Sequence, residues 1–205
     1  MLRLLSCLLA AGALSAQPSK LMNPAALNEK APEQYRAKFT TSRGEFVIAV
    51  NRSWAPLAAD RFYNLVKNGF YDGCVFFRVL PGFVAQWGLH PRPAVQAKWE
   101  KATLKDEPRK HKNRLGYVAF AATGEINSRS TQVFINLKDS PDLDLQGFVP
   151  FGDVVKGIGL TAILNNRHGQ KPDQRRILKR ARQRRGERAG RHARHVRDAA
   201  RRPLG

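Results

Sequence analysis

Short apolar runs separated by turn residues are the feature that most constrains the fold of this chain. The run 45–50 is rich in β-forming residues and follows the turn-like Ser42-Arg43-Gly44, so it is predicted to pair with residues 38–41 as a hairpin. Many short strands with few helices predict a mainly β fold built as a closed antiparallel barrel. The other predicted strands are residues 74–80, 83–87, 116–121, 132–136 and 148–155.

One segment between these strands has a helical pattern. Pro56 falls in its first turn, Ser53 is placed to cap it, and Asn68-Gly69 is a stop signal. Residues 91–113 are instead interpreted as a polar excursion between strands, because lysines and prolines dominate them. The apolar residues at helical spacing are Ala58, Phe62, Leu65 and Val66.

The N-terminal residues are set apart from the domain. Residues 1–16 combine a basic start at Arg3 with an apolar run and small residues, which is typical of a secretory signal peptide. The run is shorter than the ~20 residues that span a bilayer, so we expect an exported, periplasmic or secreted protein without membrane attachment after cleavage. Residues 17–37 are predicted to be a flexible leader, and residues 38–178 the folded domain. Cys74 would then be the only cysteine, so stability is expected to come from the core rather than a disulfide.

The basic charge is concentrated towards the C-terminal end. The formal net charge is +20, and residues 167–205 carry fifteen Lys or Arg against three acidic residues. Residues 179–205 have too few aliphatic side chains to offset ordering entropy and are predicted to be a disordered basic tail. A slip of the reading frame near Arg176 is an alternative origin for this composition. Because no zinc-finger, helix-turn-helix or stacking motif accompanies the charge, we expect no nucleic acid on the folded domain.

The chemistry of the chain is concentrated in residues 76–86. Arg78, a permanent cation, and Gln86, an amide, lie there among aromatic and aliphatic residues without a nucleophile, a base or a metal ligand. Residues 130–136 add a second amide and a second aromatic side chain. The histidines are scattered, so no metal site is expected. Such a constellation suits the twisting of a bond rather than its cleavage.

Rotation about an X-Pro peptide bond has a barrier of about 18–20 kcal/mol because the amide is resonance-stabilised. In the twisted transition state the proline nitrogen becomes a hydrogen-bond acceptor. A fixed Arg78 would recognise it there and not in the planar ground state, which is the condition for acceleration. Gln86 would hold a substrate carbonyl through its amide nitrogen. The candidates for an apolar slot around the pyrrolidine ring are Phe83, Val84, Phe134 and Leu143.

Residues 38–160 resemble the cyclophilin family of peptidyl-prolyl cis/trans isomerases, and residues 76–86 match its signature Phe-x-Arg-x-x-Pro-Gly-Phe-x-x-Gln. The resemblance implies an eight-stranded antiparallel barrel capped by two helices, with the second helix near residues 157–165 and the closing strand around 176–178. It implies no cofactor, and we expect a monomer. It also implies that Arg78 is catalytic and that substrate is bound by Phe83, Val84, Gln86, Ala121, Gln132, Phe134, Leu143 and Phe148.

Four residues depart from the family pattern. Phe77 and Phe148 stand where many members have His, and Ala122 stands where they have Asn. Asp142 takes the place of a Trp associated with cyclosporin binding. We therefore expect weak cyclosporin affinity and an altered rim, while Arg78 is kept.

The first functional hypothesis is an exported isomerase that acts on proline-containing polypeptides during folding. The alternative is a binding module that holds a proline-bearing segment in the same groove with little turnover. A basic nucleic-acid-binding protein, suggested by the tail and by the Lys-rich residues 98–114, is a third. The exchange rate of a proline peptide separates the first two, because a binding module would leave it unchanged.

Overall fold

The computed structural model describes residues 20–159, which form a seven-stranded antiparallel sheet with three α-helices. The strands are β1 (Gln34–Thr41), β2 (Gly44–Asn51), β3 (Arg78–Leu80), β4 (Val84–Trp87), β5 (Tyr117–Phe120), β6 (Val133–Asn136) and β7 (Pro150–Lys156). The helices are α1 (Pro56–Lys67), α2 (Pro93–Glu100) and α3 (Pro141–Leu145), preceded by 3-10 turns at Lys20–Met22 and Pro24–Ala26. The strand order is β1-β2-β7-β5-β6-β4-β3. The predicted mainly β, antiparallel class is confirmed.

Several predicted segments lie outside the described residues. The signal peptide at 1–16 and the tail at 179–205 are among them, as are most of the second capping helix near 157–165 and the closing strand around 176–178. The eighth strand and the closure of the barrel therefore stay predictions. Within residues 20–159, no helix has the length and apolar character needed to cross a membrane.

The hairpin predicted at the start of the domain is confirmed. β1 and β2 pair over their whole length, with Thr41 opposite Gly44 at the turn. Phe39 lies opposite Phe46, and the two rings stack with their centroids 4.9 Å apart. Alternate residues of both strands are buried, as the period-2 geometry of a strand requires. The hairpin therefore contributes one face to the core.

The predicted helix is present as α1, but its cap differs from the prediction. Ser53 was expected to cap the helix, yet it lies before the N-terminal flanking residue Ala55 and bonds to Asn51 instead. The first amides of α1 are satisfied from a distant loop: the Leu57 and Ala58 N–H groups donate to the carboxylate of Glu107 at 2.7 and 2.9 Å. A negative charge at this end also complements the helix dipole. The cap thus comes from a residue 50 positions away.

Residues 91–113 contain a helix that the sequence interpretation missed. α2 has three polar residues among its eight, and it buries Val95 and Trp99, four positions apart, on one face. Two apolar residues in a Lys-rich segment are too weak a pattern to predict a helix. Residues 91–113 are therefore more than a polar connection between strands: they contribute to the core, since Trp99 is fully buried.

The described part of the predicted flexible leader also differs from expectation, because residues 20–33 contact the domain. Leu21 is buried, and its carbonyl accepts a hydrogen bond from the Trp99 indole at 2.8 Å. Further along, the Asn64 side chain pairs with both backbone groups of Glu29, at 3.2 and 2.7 Å. β1 then begins at Gln34 rather than at residue 38. The leader is held in place because α1 and α2 give it an apolar contact, and because their side chains form hydrogen bonds with its backbone.

The strand predicted at 74–80 is shorter in the structure. Only Arg78–Leu80 are in β3, although the Phe77 N–H still donates to the Gln86 carbonyl at 3.1 Å. Pro81 and Gly82 form the turn between the predicted strands 74–80 and 83–87: Gly82 has a φ of +66°, and the Phe83 N–H donates back to the Leu80 carbonyl at 3.0 Å. This turn brings β4 back along β3.

Candidate active site

Three neighbouring strands carry the central residues of the predicted site. Arg78 on β3 lies opposite Gln86 on β4, and Gln86 lies opposite Phe134 on β6. Residues directly opposite in antiparallel strands have adjacent side chains on one face. Val84, two positions before Gln86, points to the same face. The eight-residue spacing of Arg78 and Gln86 in the motif is therefore the spacing of a tight hairpin.

A hydrogen-bond chain joins the polar residues. The Nη1 atom of Arg78 donates to Oε1 of Gln86 at 3.2 Å, and Nε2 of Gln86 donates to Oε1 of Gln132 at 2.9 Å. Arginine is only a donor, which fixes the polarity of the chain. The amide nitrogen of Gln86 was expected to hold substrate, but one of its two hydrogens is directed at Gln132. Gln86 therefore also orients Arg78 through its oxygen.

The Arg78 guanidinium is partly desolvated. Its central carbon lies 5.4 Å from the centroid of the Phe83 ring, a distance at which a cation and a ring attract each other. Burial lowers the pKa of Arg78 from its usual value, but arginine stays charged at neutral pH. Its Nε is buried without a partner. None of the ion pairs formed among residues 20–159 involves Arg78, so its charge is not neutralised by a described carboxylate.

The apolar residues of the predicted site lie in a single cluster, which we call the pocket cluster. Its buried members are Val84, Ala119, Phe134 and Leu143, and the partly buried Phe83, Ala121 and Phe148 pack against them. The rings of Phe134 and Phe148 meet edge to face, with centroids 5.3 Å apart. The structure thus brings together every apolar residue that the sequence assigned to substrate binding.

Ala119 was not among the sequence candidates. It lies on β5 opposite Phe134, and its methyl group lines the cluster. The signal was available, because Ala119 precedes Ala121 by two positions and so shares its face in a strand. Ala121 itself donates its N–H to the Gln132 carbonyl at 2.8 Å. This bond closes the base of the loop formed by residues 122–131.

The residues that depart from the family pattern have different settings. Phe77 is buried with Leu89 in a separate cluster and does not line the pocket cluster. Ala122 is half-buried beside Ala121, and Asp142 is exposed on α3. Only Phe148 replaces a pocket side chain directly. The expected weak binding of cyclosporin stays a prediction.

Within residues 20–159, no group of three His, Cys, Asp or Glu side chains is placed to hold a metal ion. What this stretch of chain presents is a charged donor beside an apolar pocket, with two amides next to it. That arrangement can bind an extended, partly apolar chain and donate a hydrogen bond to it. It offers no nucleophile for bond cleavage.

Comparisons with known proteins bear on the family. Residues 36–182 match the family model described as cyclophilin type peptidyl-prolyl cis-trans isomerase/CLD. The chain is 34% identical over 123 residues to peptidyl-prolyl cis-trans isomerase A of Dickeya dadantii, covering 58% of this chain and 65% of that protein. It is 32% identical over 128 residues to peptidyl-prolyl cis-trans isomerase B of Escherichia coli, covering 58% of this chain and 77% of that protein.

Solved structures show the same fold. A cyclophilin type isomerase from Cryptosporidium parvum superposes with a TM-score of 0.57 at 25% identity, covering 68% of this chain and 88% of that one. The structure of that protein in the presence of the dipeptide Ala-Pro gives a TM-score of 0.55, also at 25% identity, over 67% of this chain and 89% of the other. With a family model that matches most of the chain, the conclusion is direct: this chain belongs to the cyclophilin-type peptidyl-prolyl cis-trans isomerases.

Proposed function

We propose that this chain accelerates rotation about X-Pro bonds in polypeptides, with Arg78 as its catalytic residue. The observation that carries the proposal is the setting of Arg78: a charged, partly desolvated guanidinium with an unsatisfied buried Nε–H, beside the pocket cluster. An unpaired buried donor is costly unless something binds it. The lone pair that a twisted proline nitrogen acquires is such an acceptor.

The other site residues position the substrate around this donor. The proline ring enters the pocket cluster, where it contacts Phe83, Val84, Phe134, Leu143 and Phe148. Gln86 directs Arg78, while its remaining amide hydrogen, the Ala121 backbone and Gln132 hold the chain on either side of the rotating bond. The apolar walls exclude water, which strengthens the hydrogen bond from Arg78 in the transition state. The Ala-Pro dipeptide used with the Cryptosporidium protein supports a proline-containing substrate.

The test is the exchange rate of an Ala-Pro peptide measured by magnetisation-transfer NMR. Arg78→Ala is expected to lower kcat/KM by about 10²–10³, the typical cost of one electrostatic donor. Arg36→Ala, which removes an exposed cation from β1, is the matched control and should leave the rate unchanged. Activity in Arg78→Ala equal to that of the wild type would remove Arg78 from the mechanism. A wild type that binds the peptide without accelerating exchange would support the binding-module alternative.

We also propose that the enzyme acts on exported proteins, after removal of residues 1–16. The support is the basic and apolar pattern of those residues. Fractionation of expressing cells, with N-terminal sequencing of the mature protein, is the test. A mature chain that starts at Gln17 outside the cytoplasm is expected, and an intact cytoplasmic chain would contradict export.

A further inference from the structure

Arg129 connects three loops beside the pocket cluster. The residue is 9% exposed. Its Nη1 pairs with the Asp106 carboxylate, its Nη2 donates to the Gly147 carbonyl at 2.6 Å, and its own carbonyl accepts the Leu104 N–H at 2.7 Å. The planar guanidinium can reach two acceptors in fixed directions at once. One side chain therefore ties residues 104–106 to the turn that follows α3.

The carboxylate partner is itself fixed. The Asp106 N–H donates to Oδ1 of Asn127 at 2.8 Å, and the Asn127 N–H donates back to Oδ2 of Asp106 at 3.1 Å. Asn127 and Arg129 belong to the same loop, so Asp106 anchors that loop at two points. The anchor keeps the loop formed by residues 122–131 against residues 104–106.

The Gly147 carbonyl immediately precedes Phe148, which lines the pocket cluster. The Phe148 carbonyl accepts a hydrogen bond from Nδ2 of Asn113 at 3.0 Å, and the Phe148 N–H donates to Leu143 at 3.0 Å. Side-chain donors therefore hold the peptide groups on both sides of Phe148. Its ring is pressed edge-on to Phe134, so the position of this backbone decides how far apart the two rings stand.

We propose that Arg129 is a positioning residue that sets the width of the proline pocket by fixing Phe148, and thereby restricts the enzyme to five-membered imino acid rings. The proposal rests on the proposed function, because it takes the pocket cluster as the proline site. Without the guanidinium, the Gly147 carbonyl loses its side-chain donor and the Asp106 carboxylate keeps only the Asn127 N–H. The Phe148 segment is then free to move away from Phe134.

The experiment compares two matched peptides, one with proline and one with pipecolic acid, whose ring is larger by one methylene. A tight apolar pocket discriminates against one methylene by about 10–200-fold. In Arg129→Ala the preference in kcat/KM for proline is expected to fall about tenfold, since the loss of a charged hydrogen bond has that order of effect. KM for the proline peptide should rise while kcat changes little, because Arg78 is untouched. Arg129→Lys keeps the charge but not the planar pair of donors, so its preference for proline should lie between those of the wild type and Arg129→Ala.

Arg52→Ala is the matched control, because it removes another partly buried arginine whose Nε and Nη2 bond to Asp60 at 2.8 and 3.0 Å. Arg52→Ala should lower the melting temperature about as much as Arg129→Ala does, but it should leave the preference for proline unchanged. An equal preference in the wild type and Arg129→Ala would overturn the proposal. If Arg129→Ala does not fold, the same comparison in Arg129→Lys and Asp106→Asn decides the question.

Failure of the proposed function gives a different result. A wild type that accelerates exchange of neither peptide would contradict isomerase activity. The ratio of the dissociation constants for the two peptides, from NMR titration, would still test Arg129. A ratio that changes in Arg129→Ala supports the positioning role, and an unchanged ratio overturns it.

Discussion

Phe134 and Phe148 face each other across the same pocket, yet different interactions hold them in place. Phe134 lies in the sheet, opposite Gln86 on one side and Ala119 on the other. Phe148 lies after α3 and is held by residues distant in the sequence. Asn113, 35 positions before Phe148, bonds to its carbonyl, and Arg129, 18 positions before Gly147, bonds to the Gly147 carbonyl. We call Val84, Ala119 and Phe134 the strand wall, and Leu143 and Phe148 the loop wall.

The difference shows where this site can vary. The strand wall is fixed by the register of a hydrogen-bonded ladder, so it changes only if the sheet changes. In the loop wall, Leu143 lies on the short helix α3, and Phe148 is fixed by two side chains that donate to backbone carbonyls, so single substitutions can shift it. Specificity is therefore expected to vary with the loop wall and catalytic competence with the strand wall.

The largest effect is expected when an aromatic side chain is removed from the strand wall. Phe134 is 4% exposed, so Phe134→Ala should lower the free energy of unfolding by about 3–5 kcal/mol, the usual cost of deleting a buried aromatic ring. Activity should fall with it, because the same ring lines the pocket cluster. Urea denaturation and the exchange assay measure the two effects. Unchanged stability would show that the strand wall is independent of the core.

A smaller effect is expected when only a loop contact is removed. Glu107→Gln takes the carboxylate from the first amides of α1 and should lower the free energy of unfolding by about 1–2 kcal/mol. The hydrogen bonds described for Glu107 go to α1 rather than to the pocket cluster, so kcat/KM should stay the same. Glu125→Gln, on an exposed loop, is the matched control and should change neither quantity. A fall in kcat/KM for Glu107→Gln alone would mean that the cap also supports the loop wall.

The smallest effect concerns pH. Asp153 lies on β7 between Ala49 and Tyr117, and burial raises its pKa. The folded state then binds this proton more tightly than the unfolded chain, so stability falls as pH rises from the unfolded pKa through the raised one. Asn does not titrate, so the melting temperature of Asp153→Asn, relative to that of the wild type, should increase from about pH 3 to pH 7. A difference that shrinks over this range would contradict the assignment.

Much of the strand wall could be predicted from the sequence, because its residues lie within continuous β-rich segments. The spacing from Arg78 to Gln86 fits one hairpin, and Phe134 falls at a strand position with a period of two. In the loop wall, Leu143 was already a candidate for the apolar slot, whereas Phe148 was predicted only through the family resemblance. Arg129 gave no signal, since its partners are carbonyl and carboxylate groups that the fold brings together.

The same distinction explains the errors in the fold. Ser53 was a plausible cap by local rules, but Glu107 is the cap that the structure uses. α2 was missed because its apolar pattern is weak and one partner of its Trp99, Leu21, lies far from it in the sequence. Local pattern predicts an element when its partners are nearby. It fails when the partner is a distant loop or a terminal segment.

The contact between Leu21 and Trp99 has a consequence for the order of assembly. These residues are 78 positions apart, so the earlier one leaves the ribosome long before its indole partner exists. Long-range contacts of this kind require closure of a large loop and form late. The first part of the domain to be synthesised is therefore expected to be among the last to dock, and until then the face of the indole that Leu21 covers stays exposed to water.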